Sequence, residues 1–201
     1  MNADKALTKL IEGNEHYVEA TNNGAELVTN VSRSPADQGQ KPFAIVLGCS
    51  DSRVPVETIF HQGIGDLFVI RVAGNIVDSS LIGSIEFACH NFGTQLVVVL
   101  GHSHCGAVKA TVETLKNKPN EMPPNIASIV DAISPAVLPT IAKSEGQEDQ
   151  TLFQSAMVDN VAHSVAALEQ RSTILEDLVK NDKLKIVGAD YSLETGQVNF
   201  H

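Results

Sequence analysis

Two short stretches hold most of this chain's capacity for chemistry: Cys49-Ser50-Asp51-Ser52-Arg53 and His102-Ser103-His104-Cys105-Gly106. Each stands directly after an apolar run, FAIVLG (43–48) and QLVVVLG (95–101). In α/β sheets, the loops at the carboxyl ends of strands are where sites are built. Thiolate and imidazole are the preferred ligands of zinc, and three such ligands with a fourth position open mark a catalytic rather than a structural site. Cys49, His102 and Cys105 supply that set. The His-x-x-Cys spacing puts His102 and Cys105 at the start of a helix, from which both can reach one ion. His104, two residues from His102, then points elsewhere. Taken singly, either cysteine would read as a small buried hydrophobe and His102 as a loop histidine with satisfied hydrogen bonds. Two cysteines at equivalent strand ends, with a charged pair beside them, do not fit that description.

Asp51 and Arg53 give the set a reactive character. A carboxylate beside such a metal can accept a hydrogen bond from bound hydroxide and orient it. Arginine can fix that carboxylate with a two-pronged bond and keep it ionised. The alternative is that Asp51 is itself the fourth ligand and closes the site. An Asp–Arg pair standing alone would be an ordinary surface contact. Cys89 lies inside the helical pattern IEFACHNF without ligand spacing and is assigned to packing.

Loops of this kind need rigid elements behind them. FAIVLG, QLVVVLG, LFVIR (67–71) and KLKIVGA (183–189) are continuously apolar or nearly so, the pattern of strands covered on both faces. Helical patterns lie between them at 79–92 and 106–117, followed by a long pair over 151–181. Alternation of strand and helix predicts an α/β fold, with a central mostly parallel sheet of about four strands flanked by helices. Gly196–Phe200 follows a turn signal and reads as an antiparallel edge strand. An N-terminal helix spans Asp4 to about Glu19, with Asn2 as its cap. The polar connection 21–42 is long enough to let that helix lie on a partner subunit. Residues 118–150 carry five of the eight prolines and read as irregular helix and loop. The organisation expected is one domain over 1–201: a helical arm and loop (1–40), a core bearing the metal-site loops (41–117), and helices with the last strands (118–201).

Composition narrows the function classes. With 201 residues and a hydrophobic share of 43%, the chain can build a real core without disulfides. A net charge of -10 argues against nucleic acid or an anionic membrane as partner, since both select basic surfaces. No run of 18 apolar residues reads as a membrane span, and MNADKALTKLIEG lacks the apolar stretch of a signal peptide. Three cysteines, an odd number, do not make a disulfide framework. A cytoplasmic protein with reduced thiols is expected.

The paired motifs CSDSR and HSHC resemble the signature of the β-class carbonic anhydrases, in which Cys-x-Asp-x-Arg is joined to a later His-x-x-Cys. The similarity runs through GDLFVIRVAGN (65–75) and covers roughly residues 40–115 closely. The resemblance implies one zinc per chain on Cys49, His102 and Cys105, with Asp51 and Arg53 as the catalytic pair. It implies a homo-oligomer, a dimer or a dimer of dimers, with the substrate pocket at a subunit interface. Gln40 matches a glutamine that donates to substrate in plant-type members. Phe68, Ala73 and Phe87 match the apolar pocket lining, and Gly106 a glycine whose amide faces the bound molecule. Phe87 stands where plant-type enzymes carry tyrosine. Val46 stands where the bicarbonate-regulated subgroup carries tryptophan, so the open, plant-like site is expected.

By this resemblance, zinc-bound hydroxide attacks carbon dioxide to give bicarbonate and a proton. Two thiolates offset much of the ion's charge, so activity should rise toward mildly alkaline pH. His61 and His104 are candidate proton carriers, with a plain surface role the simpler reading of His61. Rival readings are a carbon disulfide or carbonyl sulfide hydrolase on the same scaffold, and a zinc-binding or redox-responsive regulator without enzymatic activity. The stretch GHSHCGAVK (101–109) lacks the Gly-Lys-Ser/Thr of a phosphate loop.

Overall fold

The computed structural model describes residues 1–25, 39–117, 122–144 and 149–201. Four apolar runs become parallel strands: β1 (Ala44–Gly48), β2 (Leu67–Arg71), β3 (Leu96–His102) and β4 (Lys185–Tyr191). A short fifth strand, β5 (Val198–Phe200), pairs antiparallel with β4 and ends the sheet. The order is β2-β1-β3-β4-β5. Every residue of β1 and β3 is buried, because helices cover both faces of the sheet.

Side chains alternate between two cores, as strand geometry requires. Ala44, Val46, Val98 and Leu100 face one side, where α1 (Ala3–Asn22) and the single turn α2 (Val56–Ile59) contribute Leu10 and Ile59. Ile45, Leu47, Cys49, Val97 and Val99 face the other side. That side is covered by α3 (Ser79–Phe92), α4 (Gly106–Asn117), α5 (Pro124–Lys143), α6 (Asp149–Arg171) and α7 (Thr173–Lys180). From β1 the chain crosses to β2 on one side, then returns past β1 to β3 on the other. The carboxyl ends of β1 and β3 therefore flank the point where strand order reverses, the usual place for a site in an open α/β sheet.

Local chemistry sets the helix ends. Asn2 caps α1 by accepting from Lys5 N, and Asp78 caps α3 by accepting from Ser80 N and Leu81 N. Gly93 ends α3 in the left-handed conformation. Ser172 breaks the long helical stretch into α6 and α7, and its hydroxyl caps α7.

Two expectations need correction. Helix α1 docks on its own sheet, with Ala6 and Leu10 fully buried. Gly13 makes this contact possible, since a Cβ there would lie 2.0 Å from the Phe60 carbonyl oxygen. Asn14 ties the helix further, donating to the carbonyls of Ile59 and Gly196 and accepting from Val198 N. Most of the connection read over 21–42 lies outside the described residues. The second correction concerns 118–150, where α5 is a 20-residue helix containing Pro135 and Pro139. Pro124 suits a first turn, where its missing N–H costs nothing. The two interior prolines are exposed and each forfeits one helical bond. Val130, Ile133, Ala136 and Val137 recur at helical spacing and are buried against the neighbouring helices, which outweighs that loss.

Candidate active site

Cys49 follows β1 directly, His102 ends β3, and Cys105 immediately precedes α4. Their ligand atoms all lie within 4.8 Å of one another, and the two sulfurs are 4.0 Å apart. His102 is fully buried, and its Nδ1 is 2.9 Å from the Ser103 carbonyl oxygen. That contact requires the proton on Nδ1 and leaves a lone pair on Nε2, the tautomer of a metal ligand. Among the described residues, His102 Nε2 has no hydrogen-bond partner.

At a separation of 4.0 Å, a thiol on one sulfur can donate to a thiolate on the other. Cys49 is drawn well below the usual thiol range, chiefly by the Cys105 thiol bonding to it; burial opposes this, while the His102 ring and the Gly74 and Asp51 amides add to it. Cys105 is pushed up by the same contact and by burial, since its ionisation would place a second negative charge beside the first. The Ala107 and Val108 amides at the start of α4 act in the opposite sense on Cys105. Such a cluster of two sulfurs and an imidazole suits a divalent cation.

Arg53 donates from Nε to Asp51 Oδ1 at 2.9 Å and from Nη2 to Oδ2 at 2.7 Å. This holds the Asp51 carboxyl well below the usual carboxylate range. Asp51 Oδ2 also lies 4.0 Å from His102 Nε2, so the carboxylate borders the three ligand atoms. Arg71 fixes the backbone of the same loop, donating to the Cys49 carbonyl at 2.9 Å and to the Asp51 carbonyl at 2.6 Å. On the second loop, His104 turns away from the trio onto Glu194, whose carboxyl is thereby lowered to about 2. Ser103 also donates to Glu194, binding this loop to the turn before β5.

The remaining residues singled out in the sequence fall into separate places. Ala73 is the half-buried first residue of a 3-10 turn (Ala73–Asn75) after β2, and Gly106 the exposed first residue of α4. The next residue of that turn, Gly74, donates its amide to Cys49 Sγ at 3.3 Å. Phe68 on β2 and Phe87 on α3 form an aromatic cluster with Phe92, with Phe87 still 52% exposed. Gln40 is exposed on the approach to β1. His61 stacks on His16, with ring centroids 4.2 Å apart, in a cleft also lined by Lys9, Glu12 and Asp66. Cys89 packs half-buried on the core, and burial pushes its thiol up to about 11. Arg71, Gly74 and Glu194 were not singled out. Arg71 and Gly74 lie inside quoted motifs, but their contacts run through backbone atoms that side-chain patterns do not reveal.

The family model described as carbonic anhydrase matches residues 44–198. Carbonic anhydrase 2 of Mycobacterium tuberculosis is 36% identical over 190 residues, covering 94% of this chain and 87% of its own. Among solved structures, the β-carbonic anhydrase CcaA superposes with a TM-score of 0.76 at 24% identity, covering 98% of this chain and 85% of its own. A tetrameric β-carbonic anhydrase of Sordaria macrospora superposes with a TM-score of 0.73 at 21% identity, covering 82% of each chain. At those identities the two structures speak to the fold alone. The match of the family model to most of the chain, together with a relative above one-third identity over nearly its whole length, shows that this chain is an enzyme of the β-carbonic anhydrase family.

Proposed function

We propose that the chain catalyses the reversible hydration of carbon dioxide to bicarbonate and a proton, using one zinc ion held by Cys49, His102 and Cys105. The observation that carries this reading is His102 Nε2, a buried lone pair with no hydrogen-bond partner among the described residues, beside two sulfurs and a carboxylate. A buried acceptor left unmatched costs free energy. Two cysteines and a histidine are a ligand set of catalytic zinc. Zinc held there supplies a Lewis acid that brings the pKa of a bound water toward neutrality.

The chain's own residues do the rest. Asp51, ionised and held by Arg53, is placed to accept a hydrogen bond from the attacking oxygen and orient it. Because both Asp51 oxygens are engaged by Arg53, we read the site as open rather than closed by a fourth protein ligand. Val46 in place of tryptophan supports the same plant-like reading. The Gly106 amide and the Gln40 side chain are assigned to the substrate oxygen that gains charge. Phe68, Ala73 and Phe87 are assigned to the apolar wall for carbon dioxide. The exposure of Phe87 supports a pocket completed by a second copy of the chain, in a dimer or a dimer of dimers. Three unpaired cysteines suit a reducing, cytoplasmic setting.

Stopped-flow carbon dioxide hydration, with metal content measured on the same preparation, tests the proposal. Rapid hydration with about one zinc per chain is expected, rising toward mildly alkaline pH and lost in Cys49→Ala. Zinc without hydration at any pH would leave a metal-binding protein only, and absence of metal would overturn the ligand assignment.

A further inference from the structure

The turn after β2 is gripped by two buried side chains to which the mechanism above gives no task. Gly74 (φ 71) and Asn75 (φ 43) are consecutive left-handed residues. Glycine and asparagine are the residue types that take up this conformation at least cost. Here it directs the Gly74 amide at Cys49 Sγ. The carbonyls of Gly74 and Asn75 are taken up by α6: Asn160 Nδ2 donates to the first at 2.8 Å and Ser164 Oγ to the second at 3.0 Å. Asn160 and Ser164 are 1% and 2% exposed and stand one helical turn apart, on one face.

The depth at which α6 lies is set between them. A Cβ on Gly101 would come within 2.5 Å of Val161 Cγ2, and one on Gly188 within 2.8 Å of Val161 Cγ1. Val161 thus seats in a hollow formed by glycines on two neighbouring strands, which carries Asn160 and Ser164 down to the turn. From the other side, Ile133 of α5 and Ala107 of α4 close on Gly74, where a Cβ would meet them at 2.7 and 3.1 Å. Asn75 Nδ2 and Asn160 Oδ1 each lie buried without a partner among the described residues. A contact kept for packing alone would gain by replacing such groups with apolar ones.

We propose that Asn160 and Ser164 are positioning residues of the metal centre. By holding the carbonyls of Gly74 and Asn75 they aim the Gly74 amide at Cys49 Sγ, and so set how much charge that sulfur can give to the metal. The inference rests on the reading of Cys49 as a zinc ligand. Groups of this kind orient ligands and tune affinity without touching the ion.

Two readouts besides activity test it: zinc affinity by competition with a chromophoric chelator, and the thiolate-to-metal charge-transfer absorption of the cobalt(II)-substituted protein. Wild type is compared with Ser164→Ala, Asn160→Asp and a control, Ser172→Ala. The control removes another buried hydroxyl, one that bonds Glu86 and Leu175 instead. Ser164→Ala and Asn160→Asp are expected to lose zinc affinity by about 10–100-fold and to shift the absorption band. The control should keep both at wild-type values despite its lowered thermal stability. The proposal is overturned if Ser164→Ala matches wild type in both readouts, or if Ser172→Ala weakens zinc binding equally. Should Asn160→Asp fail to fold, Ser164→Ala decides alone, since it removes a single oxygen. Wild-type protein that takes up no zinc would overturn the ligand assignment, and the positioning role with it, a result distinct from unaffected variants.

Discussion

Both carboxylate oxygens of Asp51 are bonded to Arg53, which keeps the carboxyl ionised, and the proposed function gives it an orienting rather than a coordinating role. Asp51→Asn keeps the shape and removes the charge, so hydration should fall by about 100-fold or more while zinc content stays unchanged in metal analysis of the same sample. A second expectation concerns acid. The carboxyls of Asp51, Asp78 and Glu194 are all lowered in the folded chain, Glu194 to about 2 by its bond from His104. Groups lowered in this way stabilise the fold fully above their unfolded values of about 4. That contribution is lost as pH falls through the folded values. Calorimetry between about pH 5 and about pH 2.5 should show a falling melting temperature whose slope is shallower in Glu194→Gln. At this scale the sequence was readable where residue type and spacing bring side chains together, as they do Cys49, His102 and Cys105, and Asp51 with Arg53. It was not readable where a side chain acts on backbone. Arg71 grips two carbonyls about twenty residues away, and Glu194 meets Ser103 and His104 across the turn before β5.

Among the elements, the strands and the helices following β2 and β3 were legible because hydrophobic period and caps agree. LFVIR became β2 without adjustment, and α3 begins after Asp78 and ends before Gly93 as its caps dictate. Helix α5 was hidden by its prolines, which act locally, whereas the burial of Ile133 and Val137 depends on α4 and α6 being in place. The docking of α1 was hidden for a similar reason. Gly13 is an unremarkable helix residue until the Phe60 carbonyl stands beside it. Asn14→Ala removes three hydrogen bonds from that junction and should cost about 2–4 kcal/mol of stability, measured by urea unfolding. Gly101→Ala forces Val161 outward and should destabilise by about 1–3 kcal/mol. Zinc affinity should fall together with stability in that variant, because α6 would carry Asn160 and Ser164 away from the turn.

For the molecule as a whole, a tightly held ion adds its binding free energy to the stability of the folded state. At free zinc near a thousand times the dissociation constant this amounts to about 4 kcal/mol, so chelation should lower the melting temperature by on the order of 10 °C. The same sheet order that brings Cys49 and His102 together has a kinetic side. These two residues are about fifty residues apart in the chain and meet only when β1 and β3 pair, with the segment bearing β2 and α3 between them in sequence. Closing that loop is an entropic cost met before any coordination is possible. On the proposed function the full ligand set therefore forms only once the central strands have joined, and during refolding zinc uptake should trail the recovery of helical signal.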